Sequence, residues 1–329
     1  MTEIHKEENK VKHVYSKTIE KSCGFVFALW SAGAKAYEYL LPPEQRLIED
    51  PLAGYYAGAS GMRMVDILGG INPSLRKAIV LRARYMDDYA RQSIKAGCTQ
   101  VVLMGAGYDS RYWRIDEFRN VSIYELDLES TQLVKKSLTR RKLGYLPRNV
   151  KYIPIDFSRE SMTRKLKDAG FENHKKTLFI WEGVSLFLNL DIVLEILGSL
   201  KEMGNGHRAV FDFVPPELID DETNYIGNRK LIQLCASIKE PLTFGCHPVK
   251  MKKFLQMLGY SKIKIVSMRE AHQLYLGSNE IEDCYYFVTA ECGGILNVDD
   301  NPNGNGNLVL IRSNKQICPG SGHATHKAK

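Results

Sequence analysis

Between Gln100 and Asp127 the chain places the residue types of a nucleotide-binding turn at the spacing such a turn needs. An apolar run, Val101-Val102-Leu103-Met104, breaks into Gly105-Ala106-Gly107, and a second short run ends in Glu125-Leu126-Asp127. A strand that turns through two glycines lets a ligand approach bare backbone, because neither position has a Cβ and both tolerate φ > 0. An acidic residue at the tip of the next parallel strand, about 20 residues on, is placed to accept hydrogen bonds from ribose hydroxyls.

Two cofactor classes share this layout. The dinucleotide fingerprint needs a third glycine three positions after the second, and that position here is Ser110. Asp109 and Arg111 also stand where a pyrophosphate site favours bare helix amides. A zwitterion suits these charges better than a diphosphate, and S-adenosylmethionine carries an ammonium, a carboxylate and a sulfonium beside its adenosine. The spacing therefore favours the methyl donor over a nicotinamide.

The elements around the turn must bring these residues to one edge. Strands are expected at Gln100–Met104, Ser122–Leu126, Val150–Pro154, Thr177–Trp181 and Arg208–Phe213, each followed by a segment of crossover length. Such alternation predicts a doubly wound, mostly parallel α/β sheet. Lys262–Val266 and Cys284–Ala290 show no helix-length apolar pattern between them and read as a closing antiparallel hairpin, which makes seven strands. In these sheets ligands lie beyond the carboxyl ends of the strands. Four such ends carry a polar cluster: Gly105 to Asp109, Asp127, Asp156-Phe157 and Glu182-Gly183.

From Ser16 to Tyr89 the pattern is helical, punctuated by Pro42-Pro43 and Asp50-Pro51. Residues 16–95 are read as a helical lid and 96–292 as a Rossmann-like core, together one domain between a loose tail at 1–15 and a disordered one at 293–329. The apolar stretch Gly24 to Ala34 has eleven residues, too few for a helix to cross a bilayer, which takes about 20. It reads as a buried amphipathic helix of the lid, and no membrane partner is expected.

The chain has 329 residues, 44% of them hydrophobic, ample for a core. Its seven cysteines are odd in number and scattered, with no Cys-x-x-Cys pair, which argues against a disulfide framework or zinc site and for a reducing compartment. His323 and His326 have no further ligand types beside them, so no metal is expected. The first 21 residues mix Glu and Lys without an apolar signal core, which points to the cytoplasm. The net charge of +7 is uneven: residues 131–151 hold Lys135, Lys136, Arg140, Arg141, Lys142, Arg148 and Lys151 with no acid. That run reads as a solvated helix face, with a docking surface for RNA or an acidic protein as the alternative.

Five segments in register resemble the leucine carboxyl methyltransferase family: Arg82-Ala-Arg84-Tyr-Met-Asp-Asp88, Val101 to Arg111, Tyr124-Glu-Leu-Asp127, Pro154-Ile-Asp-Phe157 and Trp181-Glu-Gly-Val184. Glu49-Asp50-Pro51 and Glu240-Pro-Leu-Thr-Phe-Gly245 are similar to its mostly microbial branch of S-adenosylmethionine-dependent methyltransferases. The resemblance implies a class I methyltransferase fold with S-adenosyl-L-methionine as cofactor. It implies that Arg84 or Arg82 pairs with the methionine carboxylate, as a guanidinium does with two parallel hydrogen bonds. Gly105 and Gly107 would lie against the methionine and ribose, Asp127 would hold the ribose hydroxyls, Asp156 would accept from the adenine amino group and Phe157 would cover the ring, with Ala106, Asp109 and Glu125 counted among the cofactor-binding residues. Glu182 would face the ammonium or the transferring methyl group. The lid departs from the branch, with Ser22-Cys23-Gly24 for Ser-x-Thr-Ala and Lys35-Ala36-Tyr37-Glu38 for Arg-Ala-x-Glu.

A carboxylate acceptor needs no general base at neutral pH, whereas an alcohol or phenol does. His207 reads as lying away from the ligand edge, and His247 is the one candidate base. The expected activity is O-methylation of a small metabolite at a carboxylate or hydroxyl. Alternatives are a protein C-terminus or RNA as acceptor, a regulatory protein that binds the cofactor without turnover, and a nicotinamide oxidoreductase.

Overall fold

The computed structural model describes residues 24–204, 206–219 and 225–293. The expectations for the two tails fall outside these residues, apart from Gly293. Three helices open the described chain: α1 (Gly24–Tyr39), α2 (Ala53–Ile71) and α3 (Pro73–Lys95). They are followed by β1 (Gln100–Met104), the short α4 (Arg111–Arg114), β2 (Ser122–Asp127), α5 (Glu129–Leu143), β3 (Val150–Pro154), α6 (Met162–Asp168) and β4 (Thr177–Trp181). Then come α7 (Leu190–Glu202), β5 (Arg208–Phe213), α8 (Pro216–Ile219), α9 (Asn228–Ser237), α10 (Pro248–Met257), β6 (Tyr260–Ser267), α11 (Met268–Leu276) and β7 (Tyr286–Cys292).

The strands form one seven-stranded sheet in the order β3-β2-β1-β4-β5-β7-β6. The first five are parallel, and β7 runs antiparallel between β5 and β6. The expected hairpin is corrected in one respect. β6 and β7 do pair, but α11 lies between them, held by a capping box in which Ser267 and Glu270 satisfy each other's backbone amides. Met268, Ala271 and Tyr275 recur there at helical spacing, the first two buried, but the helix is only nine residues long.

Both faces of the sheet are covered, so β1 reads as an uninterrupted buried run. Val101 and Leu103 face one side, where they join Ile79, Leu81 and Met86 of α3. Val102 and Met104 face the other, with Val193 and Leu197 of α7. This period-two division follows from the pleat of a strand. Helix α3 starts cleanly because the Asn72 side chain accepts the Ser74 amide at 2.8 Å and Pro73 occupies a position whose amide no helix bond needs.

The register aligns the strand ends. Met104 stands opposite both Leu126 and Trp181, and Asp127 opposite Pro154. The loops after β1, β2, β3 and β4 therefore leave the sheet at one edge. The chain builds outward from β1 to β3, then crosses back to β4, which puts the switch in strand order between β1 and β4, where doubly wound sheets bind ligands.

Candidate functional site

A cleft of about 760 Å³ opens at that edge. Its floor is the turn after β1. Gly105 has φ of +68° and Gly107 +45°, the left-handed region that glycine enters without penalty. A Cβ on Gly105 would stand 2.3 Å from Val184 Cγ2, so the loop after β4 closes on bare backbone there. The Gly105 and Ala106 amides both donate to the Leu126 carbonyl, at 2.8 and 3.0 Å. Gly107 donates to Asp127 Oδ2 at 2.6 Å, while Asp127 Oδ1 accepts the Leu128 amide at 2.7 Å. Burial raises the Asp127 carboxyl above its usual range, and these amide bonds offset it only in part.

Beside this polar floor lies a charge cluster assembled from six parts of the chain. Glu182, at the end of β4, meets Arg111 Nη2 at 2.5 Å, Arg82 Nε at 3.3 Å and Lys35 Nζ at 3.5 Å. Burial acts to raise its carboxyl, but Lys35, Arg111 and Arg82 outweigh burial and hold it well below the ordinary value. Arg82 also reaches Asp212 Oδ2 at 3.2 Å, with Ser31 Oγ at 3.4 Å and the Tyr285 ring 5.8 Å from its guanidinium carbon. Asp212 in turn accepts the Gly183 amide at 2.6 Å. Arg111 is almost wholly buried and pairs with Asp87 at 2.8 Å and with Asp109. Asp87 binds Arg114 as well, and Arg114 approaches Asp50 Oδ2 at 3.7 Å. Asp50 further accepts the Ser110 hydroxyl at 2.5 Å, so the Glu49-Asp50-Pro51 segment is tied to the glycine turn.

The sequence-derived candidates divide accordingly. Arg82, Gly105, Ala106, Gly107, Asp109, Asp127, Asp156, Phe157 and Glu182 all line the cleft. Asp156 spends its Oδ1 on the Ser158 amide and hydroxyl, at 3.0 and 2.6 Å, and pairs with Arg159. Three candidates, Arg84, Glu125 and His247, do not line the cleft. Arg84 points elsewhere: it binds Asp88 at 2.9 Å and the Leu47 carbonyl at 2.9 Å. Of the two arginines, Arg82 is the one that lines the cleft. Glu125 sits two residues inside the strand end, under α5, where Lys135 Nζ meets it at 2.7 Å. His247 precedes α10, away from the cleft, with Glu217 3.8 Å from its Nε2. His207 lies just before β5, at the opposite edge of the sheet, where its Nδ1 accepts the Thr177 amide at 3.2 Å.

Other residues enter the cleft without a motif to announce them. Lys35 follows Phe27 and Ser31 at four-residue spacing, so one face of α1 roofs the cleft. Tyr285 comes from the loop before β7, and Asp212 of β5, buried behind the lining, pairs with Arg82, contacts visible only once the sheet is folded. The strap from Lys239 to Pro241 also lines the cleft, and just beyond it the Thr243 and Phe244 amides donate to the Leu186 carbonyl at 2.8 and 3.2 Å.

The described residues suit an adenosyl cofactor with a charged amino-acid end. The floor is a cradle that a single Cβ would fill, and the charge cluster offers both signs within a few ångströms. Sheet order, switch-point cleft and acid-tipped second strand define a class I S-adenosylmethionine-dependent methyltransferase. Within that class, the chain belongs to the leucine carboxyl methyltransferase family, whose model matches residues 28–201. A relative in Mycolicibacterium paratuberculosis is 32% identical over 216 residues, covering 61% of this chain and 70% of its own. One in Frankia alni is 30% identical over 177 residues, covering 49% and 60%. Both carry provisional names as S-adenosyl-L-methionine-dependent methyltransferases. The crystal structure of a DUF574 family protein from Streptomyces avermitilis shares the fold, with a TM-score of 0.55 at 14% identity over 79% of this chain and 96% of that one.

Proposed function

We propose that the protein transfers the methyl group of S-adenosylmethionine to a carboxylate oxygen of a small-molecule metabolite. The observation that carries this reading is the composition of the cleft at its centre: three cations, Lys35, Arg82 and Arg111, surround Glu182, and no histidine is among the described lining residues. A carboxylate acceptor is drawn to cations and attacks without losing a proton, so it needs no base. The bound cofactor supplies the electrophilic methyl group and the driving force. The chain's share is positioning and electrostatics.

In this reading Arg82 holds the methionine carboxylate, Glu182 faces the ammonium, Gly105 to Gly107 lie along the methionine and ribose, and Asp127 accepts from the ribose hydroxyls. Phe157 covers the adenine, with Asp156 at its amino group. Helix α1 acts as part of a lid over the 96–292 core. Residues 131–151 are used only in part within the fold, since Arg140, Arg141, Lys142, Arg148 and Lys151 are exposed, and it is the chemistry of the cleft that supports a small-molecule acceptor. Lys135 is buried against Glu125, and the Lys136 and Lys142 ammoniums lie over the Tyr152 and Tyr55 rings. Among the described residues no helix is long and apolar enough to cross a membrane.

The test is transfer of labelled methyl from S-adenosylmethionine into a metabolite extract. Methyl esters release methanol in mild alkali, whereas methyl ethers do not. Alkali-labile label in the small-molecule fraction is the expected result. Label confined to alkali-stable products, or to protein or RNA, would overturn the reading.

A further inference from the structure

The cleft is chemically divided along the sheet edge. On the side of β1, β2 and β3 its walls are the glycine turn, Asp127, Asp156 and Phe157. On the side of β4 and β5 most of them are apolar, Val184, Leu186, Phe187, Leu188, Pro241 and Tyr285, beside Lys239 and Glu240 of the strap, with Phe27 of α1 packed on Phe187. The Phe27 and Phe187 ring centroids stand 4.5 Å apart, and both rings are only partly buried. Phe27 also packs edge-on to Trp30 at 5.4 Å. The cation cluster stands between the two halves. Of its members Lys35 makes the fewest ion pairs among the described residues, one with Glu182 at 3.5 Å, whereas Arg82 pairs with Glu182 and Asp212 and Arg111 with Asp87, Asp109 and Glu182.

We infer that the β4–β5 half of the cleft binds the acceptor, and that the acceptor is an apolar monocarboxylic acid whose ring or hydrocarbon chain packs on Phe27, Phe187 and Leu188 with its carboxylate toward the Lys35 end. This rests on the carboxyl-methylation reading and extends it to the substrate's body. An adenosyl cofactor occupies the polar half, which leaves the apolar half for the second substrate. Apolar walls gain from burying an apolar body and gain nothing from a polar chain, whose groups would lose water without finding partners. The ammonium of Lys35 supplies charge complementarity beside Glu182, at the junction of the two halves.

The test uses the full chain saturated with S-adenosylhomocysteine and titrated calorimetrically with four probes: 3-phenylpropionate, hexanoate, succinate and 3-phenylpropanol. The two apolar acids are expected to bind at least tenfold more tightly than succinate. Phe27→Ala and Phe187→Ala are each expected to weaken 3-phenylpropionate about tenfold while S-adenosylhomocysteine affinity stays within twofold, which also certifies that the variants are folded. Absence of apolar-acid binding, equal binding of succinate, or indifference to both substitutions would overturn the inference. Binding of 3-phenylpropanol as tight as that of 3-phenylpropionate would overturn its carboxylate part. Failure of the carboxyl-methylation reading is separately visible, as alkali-stable product in the transfer assay.

Discussion

Asp127 and Gly107, twenty residues apart, are joined by a 2.6 Å hydrogen bond in which the glycine amide donates to the carboxylate at the end of β2. The bond locks the glycine turn to the second strand, so one side chain both shapes the floor of the cleft and borders it. Asp127→Ala removes the acceptor for two amides, those of Gly107 and Leu128, and is expected to cost about 1–3 kcal/mol of stability. S-adenosylmethionine affinity is expected to fall at least tenfold. Asp127→Asn keeps one acceptor oxygen and should fall between. Calorimetric titration with thermal unfolding on the same samples checks both, and an alanine variant that binds normally would remove Asp127 from the cofactor site.

Gly105 is tested by its two constraints separately. An alanine at φ of +68° carries about 1–2 kcal/mol of backbone strain, and its Cβ meets Val184. Gly105→Ala is therefore expected to be destabilised and to lose cofactor binding at least tenfold. Adding Val184→Ala relieves the contact but not the backbone strain, so the double variant should recover part of the stability only. Full recovery would mean that the positive φ is of no consequence.

Much of this site could be read from the sequence because its parts are local. The turn, Asp127 and the ends of β3 and β4 each sit where a strand stops, and strand ends are marked by apolar runs giving way to polar residues. The bounds expected for β1, β3, β4 and β5 match those observed. Arg82 and Arg84 could not be separated, since two positions on one helix differ by 200° of rotation, and only packing says which faces the sheet edge. Glu125 misled for a related reason. It shares a strand face with Asp127, but Asp127 is at the open end while Glu125 lies under α5. Lys35, Asp212 and Tyr285 join through long-range contacts that no local pattern records.

The carboxylate of Glu182 sets an acid limit. Its folded-state carboxyl lies well below 4.5, as Lys35, Arg111 and Arg82 overcome the effect of burial. A group with a depressed folded value contributes stability that is present above its unfolded value and is lost as pH falls toward the folded one. The wild type is thus expected to lose stability below about pH 4.5, and Glu182→Gln, which leaves three cations around a neutral amide, to be destabilised by about 3 kcal/mol at pH 7. The gap between the two should narrow as pH falls. Urea unfolding from pH 7 to 3.5 measures it, and a constant gap would show that Glu182 does not carry the acid dependence.

Glu125 behaves in the opposite sense. Burial pushes its carboxyl up to about 7, with Lys135 at 2.7 Å opposing the shift incompletely. A group with a raised folded value contributes stability that is fully present below its unfolded value, here about 4.5, and is lost as pH climbs through the folded one. Lys135→Met removes the cation that favours ionisation, so the folded value moves higher still and the cost of ionising Glu125 grows. The deficit of Lys135→Met relative to wild type is therefore expected to be small near pH 5 and to reach about 3 kcal/mol near pH 8. Glu125→Leu strands the Lys135 ammonium instead and should be costly across that range. Combining the two removes both buried charges together, which is expected to bring stability back to within about 1 kcal/mol of wild type. Denaturant unfolding of the three variants at pH 5 and 8 separates these effects. If the Lys135→Met deficit were the same at both, Glu125 would be ionised throughout, and its pairing with Lys135 would be an ordinary ion pair without the effect of burial.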